Sequence, residues 1–160
     1  MMTRIAISGH RSLPADTTEL IDQAIRAALS GLLPDVTGIS CLADGSDQLF
    51  ARAVTDLGGS LEVIIPATQY RDGLPDGARP EYDSLITQAQ TVRQLPFTES
   101  NSESHMAAST AMIDTADMLY AVWDGRPARG YGGTADVVAY ARQHGIPVQV
   151  IWPDGAQRDA

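Results

Sequence analysis

Apolar positions along the chain switch repeatedly between two periods. Short runs such as RIAIS (4–8), VTGISCLA (36–43) and LEVIIP (61–66) are dense in β-branched residues and predict strands. Between them, apolar residues recur every three or four positions. Residues 16–33 put Leu20, Ile21, Ala24, Ile25, Ala28, Leu29 and Leu32 on one helical face; Asp16 to Thr18 offer N-caps, and Gly31 and Pro34 mark the stop. Residues 46–59 do the same with Leu49, Phe50, Ala53, Val54 and Leu57, ending on Gly58-Gly59. Further helices are expected over 80–89, 101–116 and 133–144, and further strands over 91–95, 117–123 and 146–152.

Short strands alternating with helices imply a mostly parallel sheet covered on both faces. The fold class expected is α/β: a three-layer, doubly wound, Rossmann-like sheet of about six strands. The strand order expected is 3-2-1-4-5-6. The length of 160 residues fits one nucleotide-binding domain over 1–153, followed by a polar tail over 154–160 expected to fray. The connection 66–79 is long and poor in apolar residues, as binding loops and disordered loops both are.

In an open parallel sheet, ligands bind beyond the carboxyl ends of the strands. Three of those ends are polar and carry glycine. After the first strand, SGHRS (8–12) offers Ser8, Gly9, His10 and Arg11; it reads as an anion-binding turn or as a simple one with a solvated Arg11. After the second, Asp44, Gly45, Ser46 and Asp47 read as a turn with a helix cap, or as carboxylates holding ribose hydroxyls. After the fifth, RGYGGT places Gly130, Gly132, Gly133 and Thr134 at a helix start, where bare N–H groups cradle phosphate or simply permit a tight turn. Asp136 in the first turn also suits the helix dipole, and Arg126 and Arg129 flank the stretch.

Charge and composition narrow the chemistry. The net charge is −9 and all 11 basic residues are arginine. The lack of lysine removes a P-loop lysine, a Schiff-base lysine and a lysine general base. The acidic balance argues against nucleic acid as a partner. No disulfide can form within the chain, because Cys41 is its single cysteine; it reads as a small core residue. The histidines His10, His105 and His144 lack metal-ligand spacing, so neither a metal nor a cofactor is expected. His105 reads as a cap or solvated group and His144 as a dipole partner; Trp123 and Trp152 read as packing residues. No membrane span or signal peptide is visible, and a cytoplasmic protein is expected.

The stretches SGHRS, GISCLADGSDQLFARAV, LEVIIP, DMLYAVWDG and GYGGTADVVAYARQHGIPVQVIWP resemble the SLOG superfamily of Rossmann-like proteins, which includes the Lonely Guy phosphoribohydrolases and DNA-processing protein A. The resemblance covers nearly the whole chain. It implies a nucleotide-type ligand with phosphate on Gly132, Gly133 and Thr134, Gly9 and Arg11 opposite, and Asp44 to Asp47 on the neighbouring wall. It also implies a homodimer; the helix carrying Met106, Met112 and Ile113 reads as half core and half interface, each of the three residues reading first as core. The Lonely Guy pattern PGGxGTxxE has a catalytic Glu where this chain has Val137, with Asp136 one residue early. That departure favours a sensor or carrier of a phosphorylated nucleotide. The alternatives are an N-glycosidic hydrolase using Asp136, Asp124 or Asp47 with His10 as proton donor, and a non-catalytic partner-binding protein.

Overall fold

The computed structural model describes residues 2–158. Its elements run β1 (Thr3–Gly9), α1 (Ala15–Leu29), β2 (Val36–Ser40), α2 (Ser46–Asp56), β3 (Ser60–Ala67), α3 (Arg79–Gln88), β4 (Thr91–Phe97), α4 (Ser102–Asp114), β5 (Met118–Val122), α5 (Thr134–Gln143) and β6 (Val148–Ile151). All six strands are parallel, in the order β4-β3-β2-β1-β5-β6. The architecture is therefore the expected three-layer Rossmann-like one. Among the described residues, no helix is long and apolar enough to cross a membrane.

The expected strand order is wrong in one place. β4 pairs outside β3 rather than beside β1. Its residues explain why. Thr91, Val92, Arg93 and Gln94 are all exposed, whereas Ile5, Ala6 and Ile7 of β1 are fully buried. A strand that polar is tolerated at an edge, not in the centre. The consequence for function is that order reverses between β1 and β5, which makes the carboxyl ends of those two strands the switch point.

Two apolar layers hold the sheet. One face packs Ile5, Ile7, Tyr120 and Val122 against Ile21, Ile25 and Leu29 of α1 and Phe50 and Val54 of α2. The other packs Ala6, Ile39, Leu119 and Ala121 against Met112 and Ile113 of α4 and Val137, Val138 and Ala141 of α5. Met106, Met112 and Ile113 are thus buried within the monomer, which leaves none of them for an interface.

Several boundaries differ from the sequence reading, and two of the differences shape the site. β2 stops at Ser40, because Leu42 takes a left-handed backbone (φ +58°). That conformation costs a branched residue energy. It is held by Leu42 N–H donating to Ser40 Oγ (3.0 Å) and Gln48 Nε2 donating to the Leu42 carbonyl (3.1 Å). The tail is docked as far as it is described: Gln157 N–H donates to Thr17 Oγ1 (2.9 Å). Residues 159–160 of the expected tail lie outside the described residues.

Gly9 is required by a close approach. A Cβ built there would sit 2.5 Å from Ser46 Cβ and 2.7 Å from Val122 Cβ. Gly9→Ala is expected to cost about 1–3 kcal/mol through overpacking, read as a lower urea midpoint with an unchanged slope.

Candidate functional site

β1 ends at the switch point, and its last residues are pinned from both sides. Ser46, at the start of α2, donates its hydroxyl to the His10 carbonyl (2.8 Å), and its N–H points to the same oxygen (3.3 Å). From the turn after β5, Asp124 N–H donates to His10 Nε2 (3.0 Å), and the imidazole stands edge-on to Trp152. His10 Nε2 is therefore an acceptor, which places the ring proton on Nδ1. Burial, with the nearby Arg158 charge, holds the His10 pKa below the ordinary value. His10 is a neutral tie between strand ends.

Arg11 is aimed by Asp44. Its Nε and Nη2 lie 2.8 and 2.7 Å from Asp44 Oδ1, while Asp44 Oδ2 accepts from the Ser12 N–H and hydroxyl, both at 3.1 Å. The Arg11 side chain remains 42% exposed, so its guanidinium is oriented and still open to an anion.

These groups open onto a cleft of about 410 Å³. Ser8, Gly9, His10 and Arg11 line it from β1, Asp47 from α2, and Gly132, Gly133 and Thr134 from the turn into α5. All of them were readable as candidates. The cleft also takes in Tyr70, His105, Ser109, Cys41, Arg129 and Arg158. Tyr70 comes from the 66–79 connection, which folds into two short 3-10 turns and buries Tyr70 and Leu74. His105 Nε2 lies 2.8 Å from Ser100 Oγ, its ring edge-on to Tyr70; burial and then the Arg11 charge hold its pKa down.

The glycine-rich turn answers to two demands at once. Gly132 has φ +86°, and a Cβ there would lie 3.1 Å from the Ser102 carbonyl. Its N–H donates to Asp136 Oδ2 (2.9 Å), and Gly133 N–H points to the Gly130 carbonyl at 3.3 Å. Both glycine N–H groups are therefore occupied by the turn itself. The donors left at the helix start are those of Thr134 and Ala135, because Gly133 provides no side-chain cap and the hydrogen bonds resume at Asp136. The Thr134 hydroxyl makes no hydrogen bond among the described residues and lines the cleft.

Several sequence candidates lie elsewhere. Asp136 clamps the Gly132 N–H. Asp124 accepts from Arg126 N–H (3.0 Å) and lines a neighbouring hollow; burial would raise its pKa, but that N–H and the Arg158 charge hold it low. Asp44 and Gly45 line a smaller hollow of about 290 Å³ behind Arg11. Ser46 is fully buried beneath Gly9, and Gly130 does not reach the cleft. No group of three or more metal-ligating side chains comes together among the described residues.

Asp47 is the candidate carboxyl that reaches the cleft. It is 9% exposed, with Oδ2 3.4 Å from Ala43 N–H. Burial pushes its pKa up to about 7, against the smaller opposing effects of that N–H and of Arg11. Burial likewise pushes the Cys41 thiol and the Tyr70 phenol up, so both are neutral in the cleft wall.

Three solved structures show what this arrangement is similar to. DNA processing protein A from Streptococcus pneumoniae matches 96% of this chain at 17% identity, with a TM-score of 0.71; this chain spans 52% of it, about half its length. The same protein from Helicobacter pylori matches 98% of this chain and 68% of its own, at 13% identity and a TM-score of 0.69. The molybdenum cofactor binding protein from Rippkaea orientalis matches 96% of this chain and 78% of its own, at 15% identity and a TM-score of 0.61. This chain shares the fold of these three proteins. No protein-family model and no curated protein matches the sequence.

One of these structures corrects an expectation. The Helicobacter pylori structure describes a single-stranded DNA binding mode. Exclusion of nucleic acid on the net charge of −9 is thereby overturned. Net charge is a sum over the whole chain, whereas binding depends on where the charges sit. Here Arg11, Arg129 and Arg158 gather on one cleft of an acidic protein.

The buried Asp47 has a measurable consequence. Its folded pKa lies above its unfolded value, so its contribution to stability is full below about pH 4 and is lost as pH rises to about 7. Asp47→Asn is expected to gain stability over wild type across that window, by a few kcal/mol at most, and to hold a level advantage above pH 8. Chemical denaturation at pH 4, 6 and 8 measures it; a pH-independent difference would contradict the assignment.

Proposed function

We propose that the cleft binds a phosphorylated nucleotide or nucleotide derivative, and that the protein acts as its sensor or carrier. The observation that carries this reading is the convergence of Arg11, Arg129 and Arg158 with the open N–H groups and hydroxyl of the α5 start. Helix starts and arginine forks both favour phosphate oxygens. The proteins of similar fold include a molybdenum cofactor binding protein, which supports a ligand-binding role. Tyr70 and His105 offer aromatic wall for a planar group, and Ser8 and Ser109 offer hydroxyls for a sugar.

A thermal-shift panel of nucleoside mono-, di- and triphosphates tests the reading. A ligand at about 100 times its Kd is expected to stabilise the protein by about 2.7 kcal/mol. Arg11→Ala is expected to weaken binding by about 10–100-fold, the loss of one charge-assisted contact, and Thr134→Val by about 5–10-fold. Absence of a shift across the panel would sink the reading.

A second reading rests on Asp47. A carboxyl with a pKa near 7, placed in an anion-binding cleft, suits general acid–base chemistry at the N-glycosidic bond of a nucleoside 5′-monophosphate. On this reading Asp47 protonates the departing base or takes a proton from water. Release of free base from nucleoside monophosphates is expected to fall at least about 100-fold in Asp47→Asn, with nucleotide binding retained. Full turnover by that variant would end this role for Asp47.

A further inference from the structure

Beside the cleft, at the carboxyl ends of β5 and β6, lies a second hollow of about 680 Å³. One wall is the turn after β5, carrying Arg126 and Arg129. The other is the segment after β6, carrying Trp152 and Arg158. Arg129 and Arg158 line the cleft as well, so the two spaces share a wall.

The chain has 20 carboxylates for 11 arginines, so an arginine with only a structural task has carboxylates in excess to meet. Arg4 and Arg11 show the usual outcome, each 2.7 Å from its carboxylate. Arg126 departs from it, and Arg158 keeps only a loose ion pair. Among the described residues the hollow's one lining carboxylate is Asp124. Arg158 Nη1 stays 3.8 Å from Asp124 Oδ2. The Arg126 guanidinium makes no hydrogen bond or ion pair among the described residues, although its backbone is fixed at both ends: the N–H donates to Asp124 Oδ1 and the carbonyl accepts from Trp123 Nε1 (2.8 Å). Burial and the neighbouring Arg129 charge hold Arg158 below the ordinary arginine pKa, against a smaller opposing effect of Asp124 and with a lesser push from Arg126. Guanidiniums gathered this way repel one another, and an anion with several oxygens removes that repulsion while accepting from more than one fork.

We propose that this hollow is a second anion subsite, centred on Arg126 and Arg158, and that the protein's ligand carries two phosphate groups, one in the cleft and one in the hollow. The position of the first phosphate rests on the cleft reading given above; that of the second rests on the hollow alone. The ligand class is then a nucleoside bisphosphate or a pyrophosphate-linked dinucleotide rather than a simple monophosphate. The Trp152 ring, edge-on to His10 between the two spaces, reports on the hollow.

The experiment uses the full chain and four probes: AMP, adenosine 3′,5′-bisphosphate, a pyrophosphate-linked dinucleotide and inorganic pyrophosphate. Inorganic pyrophosphate is expected to shift the Trp152 indole resonance of wild type and to leave that of Arg126→Ala unmoved. One of the two-phosphate nucleotides is expected to bind about ten-fold more tightly than AMP, with that gain lost in Arg126→Ala and AMP affinity unchanged there. A Trp152 indole that does not move, or moves equally in Arg126→Ala, overturns the subsite. Two-phosphate nucleotides binding no better than AMP overturn the ligand class. AMP failing to bind while pyrophosphate still moves Trp152 would remove the cleft reading and support the hollow.

Discussion

The His10 carbonyl, held by the hydroxyl and N–H of Ser46, is the contact on which the site depends. It forms because Gly9 has no side chain to separate the end of β1 from the start of α2. With that crossing made, the His10 ring reaches the Asp124 N–H, and the ends of β1 and β5 are tied at the switch point. The next residue along, Arg11, then falls beside Asp44 on the α2 turn. One steric constraint thus sets two ring contacts and one guanidinium. Polar groups packed this closely are worth most when all are satisfied, and no buried side-chain polar atom here lacks a partner among the described residues.

This arrangement separates two tasks that the glycine-bearing turns seemed to share. Asp44, Asp124 and Asp136 each hold a backbone N–H in place, and Ser46 holds the His10 carbonyl. They make the cleft; they do not occupy it. The groups facing it are Arg11, Asp47, Thr134 and the residues brought in by α4, the 66–79 connection and the tail. Positive charge and a carboxyl of raised pKa therefore meet in one small space, which favours an anionic ligand over a neutral one.

The layering of the fold was legible in the alternation of strand and helix periods, since burial on two faces leaves a strong signal. Strand order was not, because pairing leaves no periodic mark; the polar residues Thr91, Arg93 and Gln94 were the available clue to an edge. The three βα turns were legible from glycine and cap residues, and eight residues picked from them line the cleft. Which carboxylate faced the cleft was not, because Asp44 and Asp47 are both plausible caps and only the left-handed bend at Leu42 decides between them. Tyr70 left a weak signal, as a large aromatic in a polar loop. Arg158 left none, since its place depends on a tail docking through Gln157 to Thr17.

A phosphate bound at the start of α5 would be seen first in the backbone amide resonances. On titration with a nucleoside 5′-monophosphate, the Thr134 and Ala135 amides are expected to shift saturably, together with the Arg11 side-chain Nε–H. The Gly132 amide, already donating to Asp136, is expected to move less. Saturable binding that leaves Thr134 and Ala135 unmoved, or no binding at all, would rule out a phosphate site there.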